Sequence, residues 1–259
     1  EETDEKITKW TTEGQQAENP GAYFMLGKFY ESGLKSKTGN NWLFSADSNK
    51  AIEYYTKSSN KGYPLAMIKL GELYEQGDIL PMNTQKAAEL YQKAFETGNL
   101  FGKYAYARCY TYGIGRPVDI DKAVLMLSEL LVYPSSKPGA DAASLLGNIY
   151  DFDKYGRTDK RKALHFYLIA ADNGELDAQI NTAQIYTSGE AGETDYKKAF
   201  HYYQLALSKN HPSAVFGLAK LYANGQGTEK NVAKAKELLQ SLADQGYEEA
   251  QLELKKLNN

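Results

Sequence analysis

A single cysteine in 259 residues rules out any internal disulfide framework. With only three histidines there is little for a metal centre, and neither a metal nor an organic cofactor is expected. Thirty basic residues against 33 acidic ones give a formal charge of −3, so no electrostatic footprint for nucleic acid or an anionic membrane surface exists. Long apolar runs are missing too. The longest nearly uncharged one, Ala123 to Tyr133, is about half a bilayer span and contains Glu129, so no transmembrane segment is expected in this chain. What is present is an apolar fraction of 42%, ample for a core at a length that suggests one to two domains. There are also 21 tyrosines, more than twice the phenylalanine count, spread along the whole length.

The tyrosines belong to a repeat. A Lys-Ala pair occurs at Lys50, Lys86, Lys122, Lys162, Lys198 and Lys234, spaced by 36, 36, 40, 36 and 36 residues. A tyrosine recurs at Tyr30, Tyr74, Tyr110, Tyr150, Tyr186 and Tyr222 with spacings of 44, 36, 40, 36 and 36. Three residues before each Lys-Ala stands Asp47, Asn83, Asp119, Asp159, Asp195 or Asn231. A short side-chain oxygen there accepts from an orphan amide of the first helical turn, so a helix (helix B) starts at each. It ends near Gly62, Gly98, Gly174 and Gly246, or near Pro134 and Asn210 in the other two repeats.

The segment with the recurring tyrosine is helix A. In Ala66, Leu70, Gly71, Leu73 and Tyr74 the i, i+4, i+7, i+8 spacing marks one helical face. Small residues at Gly27, Gly71, Ala107, Gly147, Ala183 and Ala219 predict a close approach by another helix, because glycine in a helix interior costs about 1 kcal/mol. Helix A ends near Gly33, Gly77, Gly113, Gly189 and Gly225, with Asp153 the exception. A helix hairpin of this kind cannot bury its apolar face alone, and stacking makes an all-α solenoid. Six full repeats (22–65, 66–101, 102–141, 142–177, 178–213, 214–249) follow an N-terminal half-repeat (1–21) and precede a capping helix (250–259). That gives a single solenoid over 1–259 with about 14 helices. Thr3, Lys6 and Trp10 fall in helix B register at one end, and Ala250, Leu254 and Leu257 in helix A register at the other.

The pattern Ala-x3-Leu-Gly-x2-Tyr-x2-Gly, then Asp-x2-Lys-Ala-x3-Tyr-x2-Ala-x3-Gly, resembles the Sel-1-like repeat, a relative of the tetratricopeptide repeat. Ala66 to Gly98 and Ala142 to Gly174 match it most fully, with Asp153 in place of the loop glycine. The resemblance covers nearly the whole chain. It implies a right-handed solenoid and an adaptor that holds a protein partner, without naming the partner.

Residues that might carry chemistry have plainer roles. Cys109 occupies a position held elsewhere by Phe29, Leu73, Ile149, Ile185 and Leu221, which makes it a buried core thiol. His165 and His201 are one repeat apart, about 8–10 Å, too far to share a zinc ion. Ser58-Ser59-Asn60-Lys61 and Lys37-Thr38-Gly39 match elements of penicillin-recognising enzymes, but in the wrong order and without the third element. Gly113-Ile114-Gly115 and Gly225-Gln226-Gly227 lack the strand context of a dinucleotide site and are turn glycines. The chain is therefore not expected to be an enzyme.

By analogy with tetratricopeptide repeats, helix A lines the concave groove where a partner binds. Three residues before the small position stand Phe24, Ile68, Tyr104, Ser144, Ile180 and Phe216, a series that fits either exposure or packing between repeats. One residue after it stand Lys28, Glu72, Arg108, Asn148, Gln184 and Lys220, varied as a recognition surface should be. Aromatic and arginine side chains dominate most interfaces, which singles out Tyr104, Arg108 and Phe216. A second candidate is the insertion between Gly33 and Lys50, eight residues longer than in the other repeats. It brings Asn40, Asn41, Trp42, Leu43 and Phe44, either to fold back or to meet a partner. The extension around Pro134-Ser135-Ser136-Lys137-Pro138 has a role in shape only.

The function these features favour is a non-catalytic protein-binding scaffold that is monomeric when free. A narrower version is a bacterial envelope protein, periplasmic or exported, that acts as an immunity protein against a secreted toxin. It rests on the start at Glu1 without Met, on a half-repeat, and on the export of many bacterial relatives; a cytoplasmic location is the alternative. A β-lactam-interacting enzyme and, through Trp10, Trp42 and the tyrosines, a peptidoglycan binder are the remaining alternatives.

Overall fold

The computed structural model describes residues 2–37 and 41–258, with side chains from Asp4 onward. Glu1, Thr38, Gly39, Asn40 and the side chain of Thr3, all used above, lie outside the described residues. Contacts divide the chain into two compact units, 1–126 and 127–259.

In the first unit α1 (Glu2–Gln16) leads into the hairpin α2 (Pro20–Ser32) and α3 (Ser48–Asn60), then α4 (Pro64–Gln76) and α5 (Thr84–Glu96), then α6 (Leu100–Tyr112). α7 (Ile120–Leu130) holds the boundary between the units. The second unit contains α8 (Lys137–Asp151) with α9 (Lys160–Asp172), α10 (Leu176–Ser188) with α11 (Tyr196–Leu207), α12 (Pro212–Asn224) with α13 (Val232–Ala243), and α14 (Glu248–Asn258). Within each unit every hairpin packs on the next, and successive A helices touch, α4 on α6 and α8 on α10 on α12. Among the described residues there are 14 α-helices, in agreement with the repeat count.

The three periodic markers close one local staple. In all six repeats the Asp or Asn side chain accepts the lysine amide, as from Lys86 to Asn83 at 2.9 Å and from Lys234 to Asn231 at 2.9 Å. The amide of that same cap residue donates to the carbonyl of the recurring tyrosine, Asn83 to Tyr74 at 2.8 Å and Asp159 to Tyr150 at 2.8 Å. In five repeats the lysine ammonium then lies over that tyrosine's ring, 4.4 Å from the centroid for Lys86 over Tyr74 and 5.1 Å for Lys162 over Tyr150. Lys234 pairs with Glu237 instead. A charge over a ring contributes about 0.5–1 kcal/mol at exposed sites. One staple per repeat thus ties the end of helix A to the start of helix B.

The small positions of helix A are seats for a helix B ring. A Cβ on Gly27, Gly71 or Gly147 would stand 2.4–2.5 Å from the ring of Tyr55, Tyr91 or Tyr167. These three tyrosines are fully buried. In the last full repeat the glycine sits two residues earlier, at Gly217, and takes the ring of Tyr203 from the preceding repeat.

Three segments depart from the regular repeat. The long insertion forms a two-stranded antiparallel hairpin, β1 (Leu34–Lys35) and β2 (Trp42–Phe44). α8 lacks a glycine cap, stops at Asp151, and passes through a single 3-10 turn (Asp153–Tyr155) closed by Gly156 at φ 68°. The Ser136–Pro138 extension builds the start of α8: Ser136 caps it, and Lys137 and Pro138 form its first turn.

Candidate functional site

The helix A surface is built on tyrosine–carboxylate–cation rungs. A buried tyrosine needs a partner for its hydroxyl. The residue four after the small position supplies it. Tyr55 donates to Glu31 Oε2 at 2.6 Å, Tyr91 to Glu75 Oε2 at 2.7 Å, and Tyr167 to Asn148 Oδ1 at 2.8 Å and Asp151 Oδ2 at 3.1 Å. The second carboxylate oxygen takes a cation: Lys69 on Glu31 Oε1 at 2.7 Å, Arg108 on Glu75 Oε1 at 2.9 Å, Lys160 on Asp151 Oδ1 at 2.6 Å. Lys69 and Arg108 come from the following repeat, so those rungs join neighbours. Burial and the adjacent carboxylate push the Tyr55, Tyr91 and Tyr167 hydroxyls well above the usual phenol range.

Sequence reasoning missed these carboxylates, although a signal for them exists. The position four after the small residue reads Glu31, Glu75, Thr111, Asp151, Thr187 and Ala223, against Tyr55, Tyr91, Leu127, Tyr167, Tyr203 and Leu239 on helix B. Wherever helix B carries tyrosine, helix A carries a hydrogen-bonding side chain.

The expected partner-binding residues divide by this framework. Arg108 is committed to its inter-repeat ion pair, Asn148 to Tyr167, and Glu72 lies 4.0 Å from Lys69. Lys28, Gln184 and Lys220 are exposed. In the other series Phe24 packs on the rings of Tyr55 and Tyr63, Ile180 is buried, and Phe216 packs on the cluster of Val215 and Leu239. Ile68 and Tyr104 are half-buried.

Glu72 gives a pH prediction. Burial holds its carboxyl above the usual value, with Lys69 and Arg108 opposing. An acid whose folded pKa is raised binds its proton more tightly when folded, so it lowers stability as pH rises through that range. Glu72→Gln is expected to raise the urea midpoint at pH 7 and to leave it unchanged below about pH 4, measured by denaturation at both values.

In the second unit a cleft of about 800 Å³ opens between α10, α12 and α14, and it brings together Gln184, Phe216 and Lys220. Tyr203, Leu221 and Leu242 are buried beneath it, and Tyr247 and Glu248 stand on the far wall.

The insertion folds back on the first unit. Phe44 stacks on Phe29 at 5.2 Å and meets Tyr30 edge-on at 5.5 Å, while Ser36 and the Lys37 amide bind the buried Asp4 of α1. Trp42 remains 50% exposed, with the Lys35 ammonium over its ring.

The other candidates behave as follows. Cys109 is fully buried, and burial pushes its thiol up to about 12. It should react with a thiol reagent such as Ellman's only after denaturant is added; full labelling of the native protein would contradict this. Ser58 is buried with its hydroxyl donating to the Pro20 carbonyl at 2.7 Å, and Lys61 pairs with Glu18 at 2.6 Å. His165 and His201 are exposed and meet the neighbouring Phe166 and Tyr202 rings edge-on. Among the described residues no group of three His, Cys, Asp or Glu could hold a metal ion, and no helix is long and apolar enough to cross a membrane.

Helix hairpins joined by one recurring staple and stacked A helix on A helix define a repeat protein of the α-solenoid class. The chain belongs to the Sel1 repeat family, whose pattern matches residues 20–63, 64–99, 101–129, 140–175, 176–211 and 212–247. A Sel1 repeat protein from Oxalobacter formigenes superposes with a TM-score of 0.79 at 22% identity, over 96% of this chain and 69% of that one. An immunity protein from Pseudomonas aeruginosa does so with a TM-score of 0.50 at 22% identity, over 90% and 82%. Chitin synthase regulatory factor 3 of Schizosaccharomyces pombe is 28% identical over 147 residues, 55% of this chain and 15% of that protein. This chain spans only 13–25% of the length of the curated relatives it matches. Proteins of the Sel1 repeat family typically mediate protein–protein interaction, and no enzymatic family is indicated.

Proposed function

We propose that this chain is a non-catalytic scaffold that holds a protein partner along its A helices, with the cleft of the second unit as the main contact. The observation that carries this is the convergence of Gln184, Phe216 and Lys220 on one cleft, with polar side chains around an apolar floor. Such a mixture of apolar anchor and polar rim is what protein interfaces use. In the first unit, taken by itself, the exposed Lys28 and the half-buried Ile68, Glu72, Tyr104 and Arg108 stand on α2, α4 and α6, and Trp42 offers a separate aromatic contact. The free chain is a monomer. Chemical crosslinking followed by purification from the native host tests the reading: a specific protein adduct is expected, and strictly monomeric recovery would count against it.

The narrower reading is an exported bacterial envelope protein that neutralises a toxin. A shared fold with solved immunity proteins of Pseudomonas aeruginosa supports it. Expression beside the product of an adjacent toxin gene should rescue growth, and the protein should fractionate with the periplasm. No rescue would sink this version and leave the scaffold reading standing.

A further inference from the structure

Resting on the protein-binding reading, we infer that the α10–α12–α14 cleft receives one carboxylate side chain of a partner, carried beside an apolar side chain on an extended segment. The argument comes from comparing repeats. In the second repeat the rung consists of Tyr91, Glu75 and, one residue after the small position of the next repeat, Arg108. The fifth repeat keeps the tyrosine, Tyr203, and the following repeat keeps a cation in Arg108's place, Lys220. Between them Thr187 stands where Glu75 stands in the earlier rung. Thr187 cannot supply a negative charge, and its hydroxyl donates to the Ala183 carbonyl at 2.8 Å.

The lysine is left over. Lys69 and Arg108 are both ion-paired, but Lys220 has no carboxylate within 4.0 Å among the described residues and only the Phe216 ring beneath it, at 5.8 Å. The shorter side chain at 187 leaves room as well, since Thr187, Tyr203 and Lys220 all line the cleft. A ligand carboxylate entering there would complete the rung with the same cation chemistry that the protein uses internally. Phe216 and Tyr247 offer apolar wall for the neighbouring side chain, and Gln184 and Asn224 offer amides to an extended backbone. Glu248 and Glu249 also line the cleft and oppose negative charge away from Lys220, so the site favours a single carboxylate at Lys220 over a polyacidic run.

Fluorescence anisotropy on the full chain tests this with three labelled, C-terminally amidated peptides: Gly-Gly-Phe-Glu-Gly-Gly and its Phe-Gln and Phe-Lys counterparts. The Glu peptide is expected to bind with a Kd below about 1 mM and at least about fivefold more tightly than the Gln peptide. Lys220→Ala should remove that difference. Thr187→Glu, which restores the internal carboxylate, should abolish binding of the Glu peptide. Equal affinity for the Glu and Gln peptides, no binding of any of them, or an unchanged preference in Lys220→Ala would each overturn the proposal. Lys220→Ala keeps the test decisive if Thr187→Glu fails to fold. A partner crosslinked equally well by wild type and Lys220→Ala would refute the carboxylate site while sparing the scaffold reading.

Discussion

Tyr91→Ala is expected to lower the unfolding free energy by about 3–5 kcal/mol, the range for removing a fully buried aromatic side chain. The ring lies against Gly71, and its hydroxyl holds one oxygen of Glu75 while Arg108 holds the other. Truncation therefore opens a cavity, strips Glu75 of a donor and loosens the rung that joins the second and third repeats. Tyr91→Phe separates these contributions. It keeps the packing and removes only a hydrogen bond to a charged acceptor, at a cost of about 1.5–3 kcal/mol. Urea denaturation followed by far-UV circular dichroism measures both. A loss below 1 kcal/mol for the alanine variant would mean that the ring and its glycine seat contribute little to holding the repeats together.

Gly115→Ala and Gly227→Ala should be nearly as damaging, at about 3 kcal/mol each from overpacking and left-handed strain combined. Both glycines have positive φ, 63° and 70°, and both face backbone that cannot rotate away. An added Cβ would stand 2.2 Å from the Thr84 carbonyl oxygen and 2.1 Å from the Tyr196 carbonyl oxygen, at the start of the preceding repeat's helix B. Gly174 is the control. Its φ is 88° with nothing within 4 Å, so Gly174→Ala should cost only the conformational strain, about 1–2 kcal/mol. Equal losses at all three positions would show that backbone conformation, not contact between repeats, is why glycine is needed at 115 and 227.

These glycines illustrate how far the sequence was legible. Their place between helix A and helix B marks turns, and the missing strand context excludes a dinucleotide loop, but the second glycine of each pair contacts a segment some 30 residues earlier, which no local pattern displays. The staple was half visible. Its three markers share a period, yet nothing in a linear chain says that Lys86 lies over Tyr74 or that the Asn83 amide meets the Tyr74 carbonyl. The helix count followed from caps because capping is local chemistry. The β hairpin of the insertion depends on packing against Phe29 and Tyr30, which only the tertiary fold brings near Phe44. At the candidate site, Lys220 and Gln184 are exposed and line the cleft, as their variable position suggests. Variability alone was too coarse for Arg108 and Asn148, whose polar groups are engaged in the rungs. The covariation of Glu31, Glu75 and Asp151 with the helix B tyrosines was present in the sequence, and only the buried hydroxyls gave it meaning.

The measurement that bears most directly on the scaffold reading is site-specific photocrosslinking in the native host. A benzophenone amino acid would replace Gln184, which lines the cleft, or His201, which is exposed on α11 and outside it. A discrete protein adduct from position 184 and none from position 201 is the expected result. Equal labelling at both positions, or no adduct at either, would contradict a partner held along the A helices.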